Sequence, residues 1–467
     1  MYYSLKPEYL LRGWEGMAWV LVRRPENQIM TLSREMFQTL LLCDGETELS
    51  ASSLDDETLD ALREAEEKGF IQPCETPQPL AEDQYYQYYK NRYVSKVFWS
   101  VTGRCNFRCR HCYMDAPDGM LGELSTEEAF DLIDQMAECG VLWVDITGGE
   151  PLVRKDIWQL IDRILSHHMV IRNFSTNGWL LNDAVLDEFE RRGLHPSFAI
   201  SFDGVGWHDW MRGRKGAEED ALRAMQLCHS RGYQVSVGMC VHRGNVDSIP
   251  ATVEALRAAG IEYIKTSNVD PTDLWNAHSE GNGMTREEYI QAMLPYIEWY
   301  YKSGRPIKQL EFGGMVRMRQ DAPGELSVHC YDGTESCLDN YLCGAVRWSC
   351  YITPDGRLLP CMPMTASPKQ ELFPKVQQIG LRQGLSSSYY MQFVNGRIRD
   401  LLAANAECAG CDYKYKCGGG CRASALAIDQ NPMGCDRQMC MFWKNEYDAR
   451  IRQAIEDAQA KWGKTEK

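Results

Sequence analysis

Three cysteines, Cys105, Cys109 and Cys112, are spaced C-x3-C-x2-C within the run V-T-G-R-C-N-F-R-C-R-H-C-Y. No other feature restricts the fold as much, because the loop carrying them must bring three thiols to one point. Three ligands do not close a four-coordinate site. Structural zinc takes four ligands, and a 4Fe–4S cluster has four irons, so a three-thiolate cluster leaves one iron open to bind something small. An open position means chemistry. The bland alternative is a partial zinc knuckle or buried structural thiols.

The compartment decides between metal and disulfide. The start, M-Y-Y-S-L-K-P-E, lacks the basic-then-apolar stretch of a secretory signal, and no run of eighteen apolar residues appears. The chain is therefore expected to be cytoplasmic, with no membrane partner. Reducing cytosol keeps thiols free, so its nineteen cysteines read as metal ligands, and eleven of them lie between Cys330 and Cys440. The 467 residues, 44% hydrophobic and 25% charged, leave room for roughly two to four globular domains. A net charge of −15 excludes a phosphate-backbone partner, and with it nucleic acid.

Residues 1–78 read as a small winged-helix-like domain. The runs Trp19–Val22 and Ile29–Leu32 predict a hairpin with Pro25 and Asn27 in its turn. Ser33 can cap a helix with Met36, Phe37, Leu40 and Leu41 on one face. Leu54–Lys68 predicts a second helix, closed by Gly69 before the strand-like Phe70-Ile71-Gln72. Seven basic against fifteen acidic side chains make this a poor DNA-binding wing. Residues 79–94, rich in Pro, Gln and Tyr, read as a linker.

From residue 95 to about 310 strands and helices alternate, an α/β pattern of parallel strands with helices outside. Strands are predicted at Val97–Thr102, Leu142–Thr147, Val170–Ser175, Ser197–Ser201, Gln234–Val241 and Glu262–Thr266. Between the first two, Ser125-Thr126-Glu127-Glu128 is a capping box for a helix with Phe130, Ile133 and Met136 facing inward. Periodicity alone fits a doubly wound sheet equally well.

The cysteine motif resembles that of the radical SAM superfamily, whose core is a partial (β/α)6 TIM barrel. The resemblance implies that Cys105, Cys109 and Cys112 hold a 4Fe–4S cluster whose open iron chelates S-adenosylmethionine. One electron then splits the sulfonium to give a 5′-deoxyadenosyl radical. It also implies cofactor-binding positions at the carboxyl ends of strands. Gly148-Gly149-Glu150 matches the family's G-G-E motif, which receives the methionyl amino group. Ser175 and Asn177 end the third strand, and Ser201 and Asp203 the fourth, offering polar groups to the ribose and the methionyl carboxylate. Arg212, in H-D-W-M-R-G, matches a recurrent H-D-x-x-R-G stretch and is expected to pair with a carboxylate. Tyr113 is expected beside the adenine.

The second cysteine field, within residues 311–467, reads C-x12-G-x4-C, gap, C-x2-C-x5-C-x3-C, gap, C. It resembles the SPASM extension, which binds two auxiliary 4Fe–4S clusters, making three in all. The family's interleaved ligation implies Cys343, Cys350, Cys361 and Cys421 for one cluster and Cys408, Cys411, Cys417 and Cys440 for the other. Cys435 competes with Cys440 for the last place, and Cys330 and Cys337 lie near the first set. Paired zinc ribbons are the alternative. Cys43, Cys74, Cys139, Cys228 and Cys240 stand alone as small buried hydrophobes, and the scattered histidines show no ligand spacing.

The order of elements in residues 1–78 is similar to the RiPP recognition element (PqqD-like), which captures a precursor's leader segment at a sheet edge. Together these resemblances imply an enzyme that abstracts a hydrogen from a ribosomal precursor peptide bound through its leader. The product is an oxidative thioether or C–C crosslink, and a flavodoxin or ferredoxin supplies the electron. Peptide epimerisation, with Cys240, Cys330 or Cys337 as hydrogen donor, is the second reading. Sulfatase-type maturation falls behind because Met362 stands where those enzymes place a catalytic Asp after the cysteine. A non-catalytic iron–sulfur or zinc scaffold that binds peptide is the reading from a different class.

Overall fold

The computed structural model describes residues 1–50, 54–114 and 122–463. Residues 51–53 of the expected N-terminal domain, 115–121 of the core and 464–467 of the C-terminal domain lie outside the described residues.

The first part holds strands β1 (Tyr2–Leu5), β2 (Tyr9–Glu15), β3 (Met17–Arg23), β4 (Gln28–Thr31), β5 (Asp44–Glu48), β6 (Ile71–Cys74) and β7 (Gln87–Arg92). They form two sheets, ordered β5-β1-β6 and β4-β3-β2-β7. The β3–β4 hairpin is the one read from the sequence, with Arg23 opposite Gln28. Ser33 caps the helix Arg34–Leu42 by accepting the Met36 N–H at 3.1 Å. That helix buries Met36, Phe37 and Leu40, whereas Leu41 is 41% exposed, because it lies one helical step beyond Leu40 and off the buried stripe. The expected linker is corrected in part: Gln87–Arg92 form β7, which pairs in parallel with β2. Local composition hid this strand, which is anchored by distant aromatic contacts, Tyr86 against Phe37 at 4.8 Å and Tyr89 stacked on Trp14 at 5.3 Å.

Six parallel strands follow in sequence order: β8 (Lys96–Ser100), β9 (Trp143–Thr147), β10 (Val170–Thr176), β11 (Ser197–Ser201), β12 (Val235–Val241) and β13 (Tyr263–Asn268). Each lies within two residues of its predicted span. Their apolar side chains are buried, among them Val97, Trp99, Val144, Ile146, Phe174 and Ile200, as parallel strands covered on both faces require. Each such side chain contributes about 2 kcal/mol. The capping box at Ser125 makes both of its bonds, Glu128 N–H to Ser125 Oγ and Ser125 N–H to Glu128 Oε2. Ile133 and Met136 face inward as expected, joined by Ala129 and Leu132, while Phe130 is half-buried.

The sheet runs on to eleven strands. β14 (Gln309–Phe312) lies parallel to β13, followed by antiparallel β15 (Val316–Arg319) and β16 (Glu325–Leu326). On the other flank β17 (Ser349–Ile352) lies parallel to β8 and carries β18 (Leu358–Leu359). β8 and β13 do not pair with each other, so the six-stranded run stays open.

The N-terminal part docks on the amino ends of the core strands. Trp14 Nε1 donates to Cys139 O at 3.0 Å, Asn27 Nδ2 to Leu142 O and His168 O, and Trp143 Nε1 to Glu26 O. Cys139, Leu142 and His168 all precede β9 or β10, so the opposite end of the core stays open for a site. No helix among the described residues is long and apolar enough to cross a membrane.

Candidate active site and cysteine-lined cavities

Cys105, Cys109 and Cys112 occupy the loop after β8, at the carboxyl end of the parallel strands, and all three are half-buried. The loop is pinned to its neighbour by backbone bonds, Gly149 N–H to Thr102 O and Glu150 N–H to Arg104 O, both 2.9 Å. The paired glycines serve this contact. A Cβ on Gly149 would stand 2.2 Å from Arg104 O, and one on Gly148, at φ +155°, 2.8 Å from Thr102 O. The backbone that the glycines admit is thus the cysteine loop itself.

Glu150 is wholly buried. Its carboxylate accepts from Thr176 Oγ1 at 3.0 and 3.1 Å, Asn177 N–H at 2.7 Å and Leu152 N–H at 3.2 Å. Burial pushes its pKa up to about 7, against those bonds. It therefore braces the second and third loops from behind. The residue that meets it, Thr176, went unread in the sequence, although strand alternation places Thr176 opposite in facing to Ser175 and Asn177. Asn177 faces the cysteine loop, donating to Asn106 Oδ1 at 2.7 Å with Cys105 Sγ 4.0 Å away. Ser175 and Ser201 are half-buried at the ends of β10 and β11.

Asp203 does not face an open cavity. It is fully buried, with one oxygen accepting Cys240 N–H at 3.0 Å and the other Arg212 Nε at 2.7 Å. Burial alone would raise its pKa, but Arg212 and His208 overturn that and hold the carboxyl far below its usual range. The expectation that Arg212 pairs with a carboxylate is met inside the chain. Its other arm lies 3.7 Å from Cys109 Sγ. Tyr113, 39% exposed, turns its hydroxyl toward Tyr351 and Ser100.

The histidines are not all scattered. His111, Asp203 and Cys240 place donor atoms within 4.8 Å of one another, and no other group of three or more His, Cys, Asp or Glu among the described residues does so. His208 Nδ1 accepts Asp203 N–H at 2.9 Å. Burial lowers the pKa of His111 and of His242 to about 4, so both are neutral. Beside Cys105, Phe107 stacks on Trp179, which Arg214 covers at 3.9 Å. Sequence reading offered no signal for this group, since Trp179 and Arg214 come from different loops.

In the second field Cys408, Cys411, Cys417, Cys435 and Cys440 line one cavity, with Trp443 and Lys444. Cys408 Sγ and Cys435 Sγ are 3.6 Å apart. Cys343, Cys361 and Cys421 neighbour one another electrostatically. Cys350 is separated from them. It is buried in β17, where alternation turns it away from Tyr351, and its neighbours include Arg92 and the neutral Cys139 thiol. The strand directs it toward Cys139, at the end of the helix Thr126–Glu138. Zinc on four thiolates would hold sulfurs about 3.8 Å apart. No three cysteines among the described residues stand that close. A second cavity, between core and C-terminal part, is lined by Arg286, Gly313, Ser327, His329, Tyr331 and Cys421.

Residues 99–256 match the family model described as the Radical SAM superfamily. A PqqA peptide cyclase of Gluconobacter oxydans is 27% identical over 362 residues, 76% of this chain and 92% of the relative. An AdoMet-dependent heme synthase of Methanosarcina barkeri is 27% identical over 348 residues, 71% of this chain and 92% of the relative. Among solved structures, SuiB of Streptococcus suis bound to the precursor peptide SuiA matches with a TM-score of 0.58 at 12% identity, over 93% of this chain and 98% of that one. At that identity the likeness is one of fold.

Proposed function

We propose that this chain, whose residues 99–256 form a radical SAM domain, is a maturase that installs an oxidative crosslink in a ribosomally made precursor peptide. The observation that carries the reading is a three-cysteine loop at the strand ends of a core that shares most of its length with a peptide cyclase. A 4Fe–4S cluster on Cys105, Cys109 and Cys112 would cleave bound SAM reductively and deliver the hydrogen-abstracting 5′-deoxyadenosyl radical.

The chain's own residues supply the surroundings. Gly148, Gly149 and Glu150 lock the cysteine loop, Asn177 faces it, and Phe107 stacks on Trp179 beside it. Cys343, Cys361 and Cys421, and the thiols around the Cys408 cavity, would hold two auxiliary clusters that accept the electron left by crosslinking. Residues 311–467 are on this reading a SPASM domain, and residues 1–78 a leader-binding recognition element. The edge position of β5, partly covered at Gly45 where Gln78 N–H donates to its carbonyl at 2.8 Å, supports the latter, as a strand to which a peptide can add. Arg104 and Arg108, exposed beside the cysteine loop, suit an acidic flavodoxin or ferredoxin as electron donor.

One observation favours epimerisation as the second reading. The Cys240 thiol lies at the carboxyl end of β12, close to the His111 and Asp203 side chains, and could return a hydrogen to a substrate radical. Met362 follows Cys361, so sulfatase-type maturation lacks its carboxylate base. The test is the mass of a candidate precursor peptide after anaerobic reaction with enzyme and SAM in deuterated water. Loss of two hydrogens is expected. Gain of one deuterium without that loss would replace crosslinking by epimerisation, and no 5′-deoxyadenosine at all would leave only a binding scaffold. Conversion of a porphyrin and of no peptide would move the substrate to that of the heme synthase relative.

A further inference from the structure

The H-D-W-M-R-G stretch, His208 to Gly213, is built against the cysteine loop. Gly213, at φ +64°, could not carry a side chain, because a Cβ there would stand 2.3 Å from Arg108 O. Arg110 N–H donates to Met211 O at 2.9 Å. Asp209 accepts from Gly216 N–H and Glu218 N–H at 2.7 and 2.8 Å, tying the stretch to the next helix, Ala217–Ser230. Residues 108–110 and 208–213 therefore form one rigid unit. Within it the Arg212 guanidinium, 9% exposed, lies 3.7 Å from Cys109 Sγ and 2.7 Å from the buried Asp203 carboxylate. Cys105 is treated differently. Its sulfur receives the neutral Phe107 N–H at 3.4 Å and faces the Asn177 amide at 4.0 Å.

We infer that Arg212 sets the reduction potential of the cluster held by Cys105, Cys109 and Cys112, through a charge-assisted N–H···S bond to Cys109, and that the buried Asp203 carboxylate offsets part of that effect. The inference rests on the radical SAM reading. Reduction adds negative charge to the cluster and its sulfurs, so a fixed cation beside one of them stabilises the reduced state more than the oxidised. Burial keeps water and salt from screening the effect. The ion pair also explains why a guanidinium remains charged in so enclosed a place, since a lone buried charge would be costly. Arg212 is a positioning residue acting through Cys109, and the negative charge of Asp203 opposes it partly.

The test is an anaerobic redox titration of the full, iron-loaded chain, followed by electron paramagnetic resonance without SAM. The relevant resonance is the one that disappears in Cys109→Ala. In Arg212→Gln the ratio of reduced to oxidised cluster at fixed potential should fall about tenfold, a shift of about 59 mV for a one-electron couple. Arg212→Lys, which keeps the charge, should stay within about threefold of the parent. Asp203→Asn, which removes the opposing charge, should move the ratio the other way. An Arg212→Gln ratio within about twofold of the parent, or Arg212→Gln and Asp203→Asn moving in the same direction, would overturn the inference. If Arg212→Gln fails to take up iron, Asp203→Asn decides alone, and an unchanged or lowered ratio there overturns it. A parent chain with no resonance that Cys109→Ala removes would instead sink the radical SAM reading.

Discussion

The two cysteine fields are built in opposite ways. Around Cys105, Cys109 and Cys112 the chain's own backbone holds the loop, through Thr102, Arg104, Met211 and the glycines packed on them. Around Cys408 to Cys440 the thiols ride on one-turn and two-turn helices, Ala406–Ala409, Lys414–Cys417 and Arg437–Lys444. The buried apolar cluster beside Cys408 contains little more than Cys337, Leu342, Ile398 and Leu401. The difference teaches that the core creates the first site from its own packing, while the second, on the proposed reading, would draw part of its fold from bound metal.

The largest expected effect separates the two fields by function. Cys112→Ala should abolish 5′-deoxyadenosine formation. Cys417→Ala should leave SAM cleavage measurable by chromatography but stop peptide product. Loss of cleavage in both would erase the distinction. Next, anaerobic removal of metal by a chelator should expose residues 330–440 to protease while 95–310 stays protected, read by mass spectrometry of the fragments. Equal protection in both regions would mean that the second field also folds without metal.

Within the second field, Cys440→Ala should lower iron from about twelve to about eight per chain, whereas Cys435→Ala should leave about twelve. The reverse result would make Cys435 the ligand. In the first field, Glu150 gives a smaller, pH-dependent effect. Its folded pKa of about 7 stands above its ordinary 4.5, so the folded chain holds a proton that the unfolded chain has lost. Stability from this group is present below about pH 4.5 and is lost as pH rises through 7, a loss on the order of 3 kcal/mol. Denaturation midpoints of Glu150→Gln should be flatter across that window than those of the parent. Equal slopes would place the titration elsewhere. The smallest effect is expected at Cys350→Ala, which should keep its full iron content and lose about 1 kcal/mol of stability by denaturation. Loss of iron there would make Cys350 a ligand.

Much was legible because it depends on short spacings. The three-cysteine loop, the six parallel strands, the capping box at Ser125 and the hairpin from Trp19 to Leu32 follow from local pattern, and each recurs in the fold within a residue or two. Other features needed distant parts of the chain to meet. Strand β7 forms because Tyr86 and Tyr89 find Phe37 and Trp14. Glu150 becomes a buried brace because Thr176, from the next strand, closes on it.

Read alone, the sequence specifies an open three-thiolate site at the carboxyl end of a parallel α/β core and a second, denser cysteine field. Those properties lie in the identity and local spacing of residues, which no packing alters. Long-range packing settled which thiols share a cavity, which way Cys350 points, and that Arg212 bridges Asp203 and Cys109. The physical reason is that a charge or a thiol takes its role from the groups within a few ångströms of it. Folding selects those neighbours from segments that stand a hundred residues and more apart in the chain.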